Sequence, residues 1–254
     1  MLHDPLFYAV AIPAVILMGL AKGGLTGVSA LSVPIMTLMM SPVQAAAITL
    51  PILIAQDLVS VWIFRGQWDR RLVAILLAGG VIGVALGWAL AAYVSSSAVE
   101  FALGVVSVLF GAQRLWVERR GLSTEPKRGG VAAGVVLGAA GGFTSQIAHA
   151  GGPPVQIYLM PLNLSRDALI GTMTLFFMVI NWVKVPAYFA LGQFTKENLT
   201  LSAVMLPLAV ISTYFGARLA RRFASANFYR FVYALLILVG LKLAWDGWAV
   251  LSAG

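Results

Sequence analysis

Twice in this chain an apolar run long enough to enter a bilayer is broken by glycine and proline. From Gly138 to Met160 it reads GAAGGFTSQIAHAGGPPVQIYLM. Two glycine pairs and two adjacent prolines interrupt that run (Gly141-Gly142, Gly151-Gly152, Pro153-Pro154), and Ser145, Gln146 and His149 lie between the breaks. A second break comes early, in GLAKGGLTGVSALSVP from Gly19 to Pro34. Hydrocarbon offers no partner to bare N–H and C=O groups, so irregular backbone at membrane depth must be buried in protein or line a cavity. Paired breaks in corresponding halves point to a transporter's binding site.

The surrounding sequence is a membrane sequence. It is 60% hydrophobic and 10% charged, with a mean hydropathy of +0.92, against about 25% charged residues in soluble domains. The net charge of +8 does not point to nucleic acid. The basic residues cluster between apolar runs, where they set topology and meet the anionic headgroups of the lipid bilayer. No cysteine is present, which excludes disulfides, thiolate metal sites and thiol catalysis. The start, MLHDPLFYAV, lacks the basic region and cleavage site of a signal peptide, so the first apolar segment is expected to stay in the mature protein.

The chain also reads as duplicated. Asp57 lies 16 residues after Ser41, and Asn181 lies 16 after Ser165. Gly66-Gln67-Trp68 matches Gly192-Gln193-Phe194. At an offset of 129, Gly87 matches Gly216, Leu90 Leu219, Ser96 Ser225, Gly111 Gly240 and Trp116 Trp245. Two repeats follow, 1–124 and 125–254. Each holds a broken segment (6–40 and 129–162) and three spans (42–64, 72–94 and 97–118; 167–190, 198–219 and 227–249), the spans being near the ~20 residues that cross a bilayer. A broken segment of ~34 residues overshoots the membrane as one rod. Two short helices or a re-entrant hairpin would return it to its starting side. Arg65, Arg70, Arg71, Arg119, Arg120, Lys127, Arg128, Arg166, Arg221 and Arg222 then share one face, the cytoplasmic one. The expected fold is all-α: two homologous halves as an inverted repeat, multi-pass in the inner membrane, with both termini periplasmic.

Several polar residues lie inside these runs. Lys22 sits at the first break beside Gly23 and Gly24. It reads as a cation receiving an anion, with backbone N–H groups and a helix N-terminus close by, against snorkelling or carboxylate pairing. Thr26, Ser29 and Ser32 follow at helical spacing as hydroxyl donors or packing residues. At the second break Ser145, Gln146 and His149 can meet on a helical stretch. His149 suits a proton switch or a neutral donor, against a packing role. One histidine without neighbouring ligands is no metal site. Gly151 and Gly152 follow it, and Gln156 is a weaker candidate lining residue. Asp57 and Asn181 hold equivalent mid-span positions, as a coupling or a structural polar pair, with Lys184 three residues after Asn181. Trp62, Trp68, Trp116, Trp245 and Trp248 form an aromatic belt. No nucleotide-binding loop, catalytic triad or potassium-filter sequence is present.

Gly138 to Pro161, with GGFTSQIAHAGGPPVQIYLMP, closely resembles the second-half signature of the TauE/SafE sulfite exporter family, and Gly19–Pro34 resembles the first. Thr26-Gly27-Val28-Ser29-Ala30 departs from the richer glycine run of that family. The resemblance implies a secondary carrier, not an enzyme, without a cofactor. Its substrate would be sulfite, a sulfonate such as sulfoacetate, or a carboxylate, moved by alternating access, as export. Lys22, Gly23, Gly24, Pro34, Gly141, Gly142, His149, Gly151, Gly152, Pro153 and Pro154 match the motifs. A passive anion channel and an uptake permease for an unrelated organic anion are the alternatives, and a homodimer is compatible with either.

Overall fold

The computed structural model describes residues 4–25, 27–91, 93–120, 130–223 and 226–253. Thr26, Lys127 and Arg128 lie outside them, as do the side chains of Arg119, Arg120, Arg221 and Arg222. Among the described residues the secondary structure is helical, without strands. The elements are α1 (Pro5–Lys22), a 3₁₀ turn (Val28–Leu31), α2 (Ser32–Thr37), α3 (Pro42–Ile63), α4 (Arg70–Ala91) and α5 (Ser96–Arg120). Then come α6 (Val131–Ala148), α7 (Gly152–Leu159), a second 3₁₀ turn (Met160–Leu162), α8 (Arg166–Ala190), α9 (Lys196–Phe223) and α10 (Ala226–Ala253). Eight of these, all but α2 and α7, are long and apolar enough to cross a membrane. The protein is therefore an integral, multi-pass membrane protein.

Local sequence explains where the helices begin. Ser41 and Ser165 both cap: each hydroxyl accepts the backbone N–H three residues on, Gln44 at 3.3 Å and Ala168 at 3.2 Å. Pro5 and Pro42 stand at the first helical position of α1 and α3, where the missing N–H is no loss. The Asp69 carboxylate accepts from the N–H groups of Arg71 and Leu72 to open α4, and the Thr195 hydroxyl accepts from Asn198 to open α9.

In lipid no hydrophobic force separates helix from hydrocarbon, so close backbone approach and interhelical hydrogen bonds must hold the bundle. Glycine supplies the first. A methyl at Gly83 of α4 would lie 2.0 Å from the Ala139 carbonyl oxygen of α6, and one at Gly142 2.0 Å from that of Gly80. On the other side of the molecule, Gly23 at the end of α1 meets the backbone of Gly216 and Ala217 in α9, and Gly104 of α5 meets Gly240 and Ala244 of α10. The hydrogen bonds include Gln56 Nε2 donating to the Val15 carbonyl at 3.2 Å and Ser202 Oγ to that of Ile48 at 2.7 Å.

At the centre, α3 and α8 run antiparallel. Ala46 and Leu50 cluster with Tyr188, Asp57 bonds to Asn181, and the Asp69 N–H at the far end reaches Thr172 Oγ1 at 3.0 Å. The ends of α1 and α6 close against this central pair.

Candidate functional site

Each break ends a helix in its own way. After α1, Leu25 N–H bonds to the Leu20 carbonyl (3.0 Å) and Gly24 N–H to that of Ala21 (3.0 Å). This is a Schellman ending, and Gly24, at φ +124°, takes the left-handed position that it requires. Lys22 therefore sits at a helix C-terminus, not beside an N-terminus as the sequence suggested. The N–H groups of Gly23 and Gly24 are spent on closing that helix. After α6 the left-handed position is held by His149 itself, at φ +51°, an uncommon place for a residue with a Cβ. Its N–H bonds to the Ser145 carbonyl at 3.1 Å. The chain restarts at Gly152 as α7, and Pro153 and Pro154 remove two of the N–H groups that a helix N-terminus would otherwise offer.

The two breaks, with α8, enclose one cavity. Lys22, Gly27 and Ser29 line it from the first break; Ser145, His149, Gly152 and Gln156 from the second; Thr174, Phe177 and Asn181 from α8. The cavity has about 80 Å³ of room for water, several times the ~10–15 Å³ that a single water needs. Gln156 Oε1 is buried there without a partner.

Behind the lining lies a charged network. Lys22 pairs with Asp57, a wholly buried carboxylate. The other oxygen of Asp57 accepts from Asn181 Nδ2 at 2.6 Å, and the Lys22 ammonium also lies 5.1 Å from the centre of the Phe177 ring. Lys184, wholly buried on α8, has no carboxylate within ion-pair distance among the described residues. Its ammonium meets three acceptors for its three N–H bonds: the Ser145 carbonyl at 3.2 Å, Ser145 Oγ at 3.1 Å and His149 Nδ1 at 2.6 Å. His149 Nε2 faces the Ala46 carbonyl at 2.9 Å. A carbonyl only accepts, so Nε2 carries the ring proton and Nδ1 is left to accept from Lys184; the imidazole is neutral in this arrangement. Two lysines and one carboxylate leave this region with one more basic group than acidic ones.

The structure thus gathers Lys22, Ser29, Ser145, His149, Gly152, Gln156 and Asn181 around one hollow, with Asp57 directly behind Lys22. Gly23, Gly24 and Gly151 do not line it; they are packing and turn positions, Gly151 lying against the Gly141 carbonyl. Gln146 faces a separate cavity, shared with Tyr188 and Gln193. Lys184 belongs to the network although the sequence reading kept it out of the site. Its signal was its place on the Asn181 face of α8, one helical turn on.

Helices of membrane length gathered around a hollow with polar side chains set in a mainly apolar wall define a polytopic membrane protein. The sulfite exporter TauE/SafE family model matches residues 11–243. A probable sulfite/organosulfonate exporter TauE of Cupriavidus necator is 30% identical over 182 residues, covering 69% of this chain and 68% of that protein. The chain belongs to the TauE/SafE sulfite exporter family. It is accordingly a membrane transporter and not an enzyme. No solved structure matches it.

Proposed function

We propose that this protein is a secondary carrier for small sulfur oxyanions, sulfite or an organosulfonate, exporting them across the bacterial inner membrane from the cavity between the two breaks. The carrying observation is the uncompensated ammonium of Lys184 behind a hollow lined by Lys22, Ser145 and Gln156. A compact anion with several acceptor oxygens supplies the missing charge and takes the free donors. Ser145 Oγ accepts from Lys184, which leaves its own O–H to point elsewhere, and the cavity is beside it.

Alternating access rests on an inverted repeat, and three observations support that reading. The equivalent helices α3 and α8 are antiparallel. The equivalent residues Asp57 and Asn181 touch each other, as positions beside a two-fold axis in the membrane plane would. Exchanging the repeats also turns the α1–α9 contact into the α6–α4 contact, and α5–α10 into itself. The arginine-bearing ends are then cytoplasmic and both termini periplasmic. His149 and the Ala46 carbonyl form the partition between the central hollow and the Gln146–Tyr188 cavity, so loss of that bond would join the two.

Proton coupling, in this reading, runs through His149. Both Asp57 oxygens are occupied by N–H donors, whereas His149 can take a proton on Nδ1 when an anion draws Lys184 away. Lys184 and Tyr188 of α8 and Lys22 of α1 are the ionisable groups around it among the described residues.

The test is counterflow of labelled sulfite and sulfoacetate into proteoliposomes, with and without a pH gradient. Saturable counterflow that is accelerated by the gradient, and no longer accelerated in His149→Gln, is expected. Flux that never saturates and shows no counterflow would instead identify a channel.

A further inference from the structure

Away from the central cavity, α3 and α9 run side by side in the same direction and leave two troughs between them. The first is an open hollow of about 930 Å³, lined by Arg65, Gln67, Ala217 and Arg218. The second, of about 490 Å³, is lined by Leu58, Val59, Val210, Ile211 and Phe215 and is almost entirely apolar. Both are lined by Trp62 and Tyr214, so they form one groove. Leu58 precedes Arg65 by seven residues and Ile211 precedes Arg218 by seven. At ~1.5 Å per residue the apolar floor thus lies ~10 Å from the cationic rim along the same helices.

The rim is preset for an anion. The Arg65 guanidinium lies 5.6 Å from the centre of the Trp62 ring. That of Arg218 lies 4.6 Å from the Tyr214 ring and donates to its hydroxyl at 2.5 Å. Neither has a carboxylate partner among the described residues. The cavity at the counterpart ends of α4 and α8, lined by Ala91, Val94, Tyr188 and Leu191, has no charged residue on its walls, so a cationic rim is not a general feature of helix ends in this fold.

We propose that this groove is a binding site for one anionic glycerophospholipid. Its phosphate is held between Arg65 and Arg218, and an acyl chain lies along Val59, Ile211 and Phe215. Only a molecule that joins an anionic head to a hydrocarbon tail matches both halves of the groove. An apolar helix of a second copy would leave two guanidinium groups unmatched, and a free anion would leave the trough bare. Arginine suits the task because its planar fork binds two phosphate oxygens at once, and the ring pair sits where interfacial Trp and Tyr sit in membranes.

The experiment is native mass spectrometry of the full chain in detergent, titrated with phosphatidylglycerol or phosphatidylcholine, and with inorganic phosphate as competitor. Phosphatidylglycerol should be retained in preference to phosphatidylcholine and should survive millimolar phosphate. Arg65→Ala/Arg218→Ala should weaken it about 25-fold, about fivefold for each arginine, the equivalent of ~1 kcal/mol per basic residue near an anionic surface. Arg65→Lys/Arg218→Lys should lose less, and Ile211→Trp, which fills the trough, should weaken both lipids. An unchanged melting temperature in the variants shows that they fold. Phosphatidylglycerol bound equally well by the double alanine variant would overturn the proposal. So would displacement by phosphate alone, or a groove variant that splits a dimer while lipid retention stays the same.

Discussion

The two breaks perform the same mechanical task with opposite chemistry. The first ends α1 on a glycine in the left-handed position, and its cation, Lys22, is neutralised by Asp57. The second ends α6 on a histidine in that position, and the cation beside it, Lys184, is hydrogen-bonded yet not neutralised. One break is electrostatically complete and the other is not. On the reading proposed above, the Lys22–Asp57 pair braces the bundle whether or not a substrate is present. In the carrier proposed above, the hydrogen-bonded but unpaired Lys184 is the group that an anionic substrate would answer.

That difference separates stability from transport, and it can be broken most forcefully at Lys22. Lys22→Ala strands a wholly buried carboxylate, which costs about 3–5 kcal/mol when one partner of a buried pair is removed. Lys22→Ala/Asp57→Asn should recover most of that loss, since no buried charge is then left alone. Thermal melting in detergent reads both variants. A Lys22→Ala protein that melts like the wild type would show that the pair does not hold the fold together.

Lys184 should behave in the reverse way. Lys184→Met removes a buried charge with no counter-ion and keeps most of the volume, so the fold should melt no lower than the wild type. Counterflow should fall at least about a hundredfold, the ~2.7 kcal/mol expected when a charged contact to the substrate is lost. Retained transport in Lys184→Met would move the substrate's partner elsewhere in the cavity.

Much of the first break was legible in sequence, and less of the second. Lys22 and Asp57 stand out because charges in long apolar runs are rare, and Asn181 stands out by its equivalence to Asp57. The caps at Ser41 and Ser165 announce α3 and α8. Gly23 and Gly24 were read as lining residues, because glycine serves equally for backbone approach to a ligand and for ending a helix; only the Gly24 φ and the bond from Leu25 to Leu20 tell the two apart. Lys184 was noted for its spacing from Asn181 but could not be joined to Ser145 and His149. That contact spans 35 and 39 residues of chain and depends on how the α6 break lies against α8, which no local pattern encodes. Arg65 was legible as a topology signal and Arg218 was not singled out, and the groove they share comes from the packing of α3 against α9.

The backbones of the two breaks sharpen the contrast further. Gly24→Ala places a Cβ at φ +124° and should lower stability by about 1–2 kcal/mol. His149→Asn puts into the left-handed position a residue that tolerates it. Its stability should stay within ~1 kcal/mol of the wild type while the contact to Lys184 and the seal at Ala46 are weakened, so transport should fall and leak rise. Melting curves paired with counterflow and passive efflux read all three quantities. A large stability loss in His149→Asn, matching that of Gly24→Ala, would mean that the imidazole is held for structure alone.

The smallest effects belong to the hydroxyls, one from each break. Ser29 lines the hollow from the first and Ser145 from the second. Ser29→Ala removes a neutral donor worth about 0.5–1.5 kcal/mol, so the half-saturating substrate concentration should rise a few-fold with the maximal rate little changed. Ser145→Ala removes the same kind of donor and also one of three acceptors around Lys184, leaving a buried ammonium short of a partner. It should raise half-saturation by a similar factor and lower the maximal rate as well, because the ammonium is left misdirected when the substrate leaves. Concentration dependence of initial flux separates the two. Identical profiles for the two variants would place Ser145 among the simple lining residues and deny the second break its electrostatic distinction.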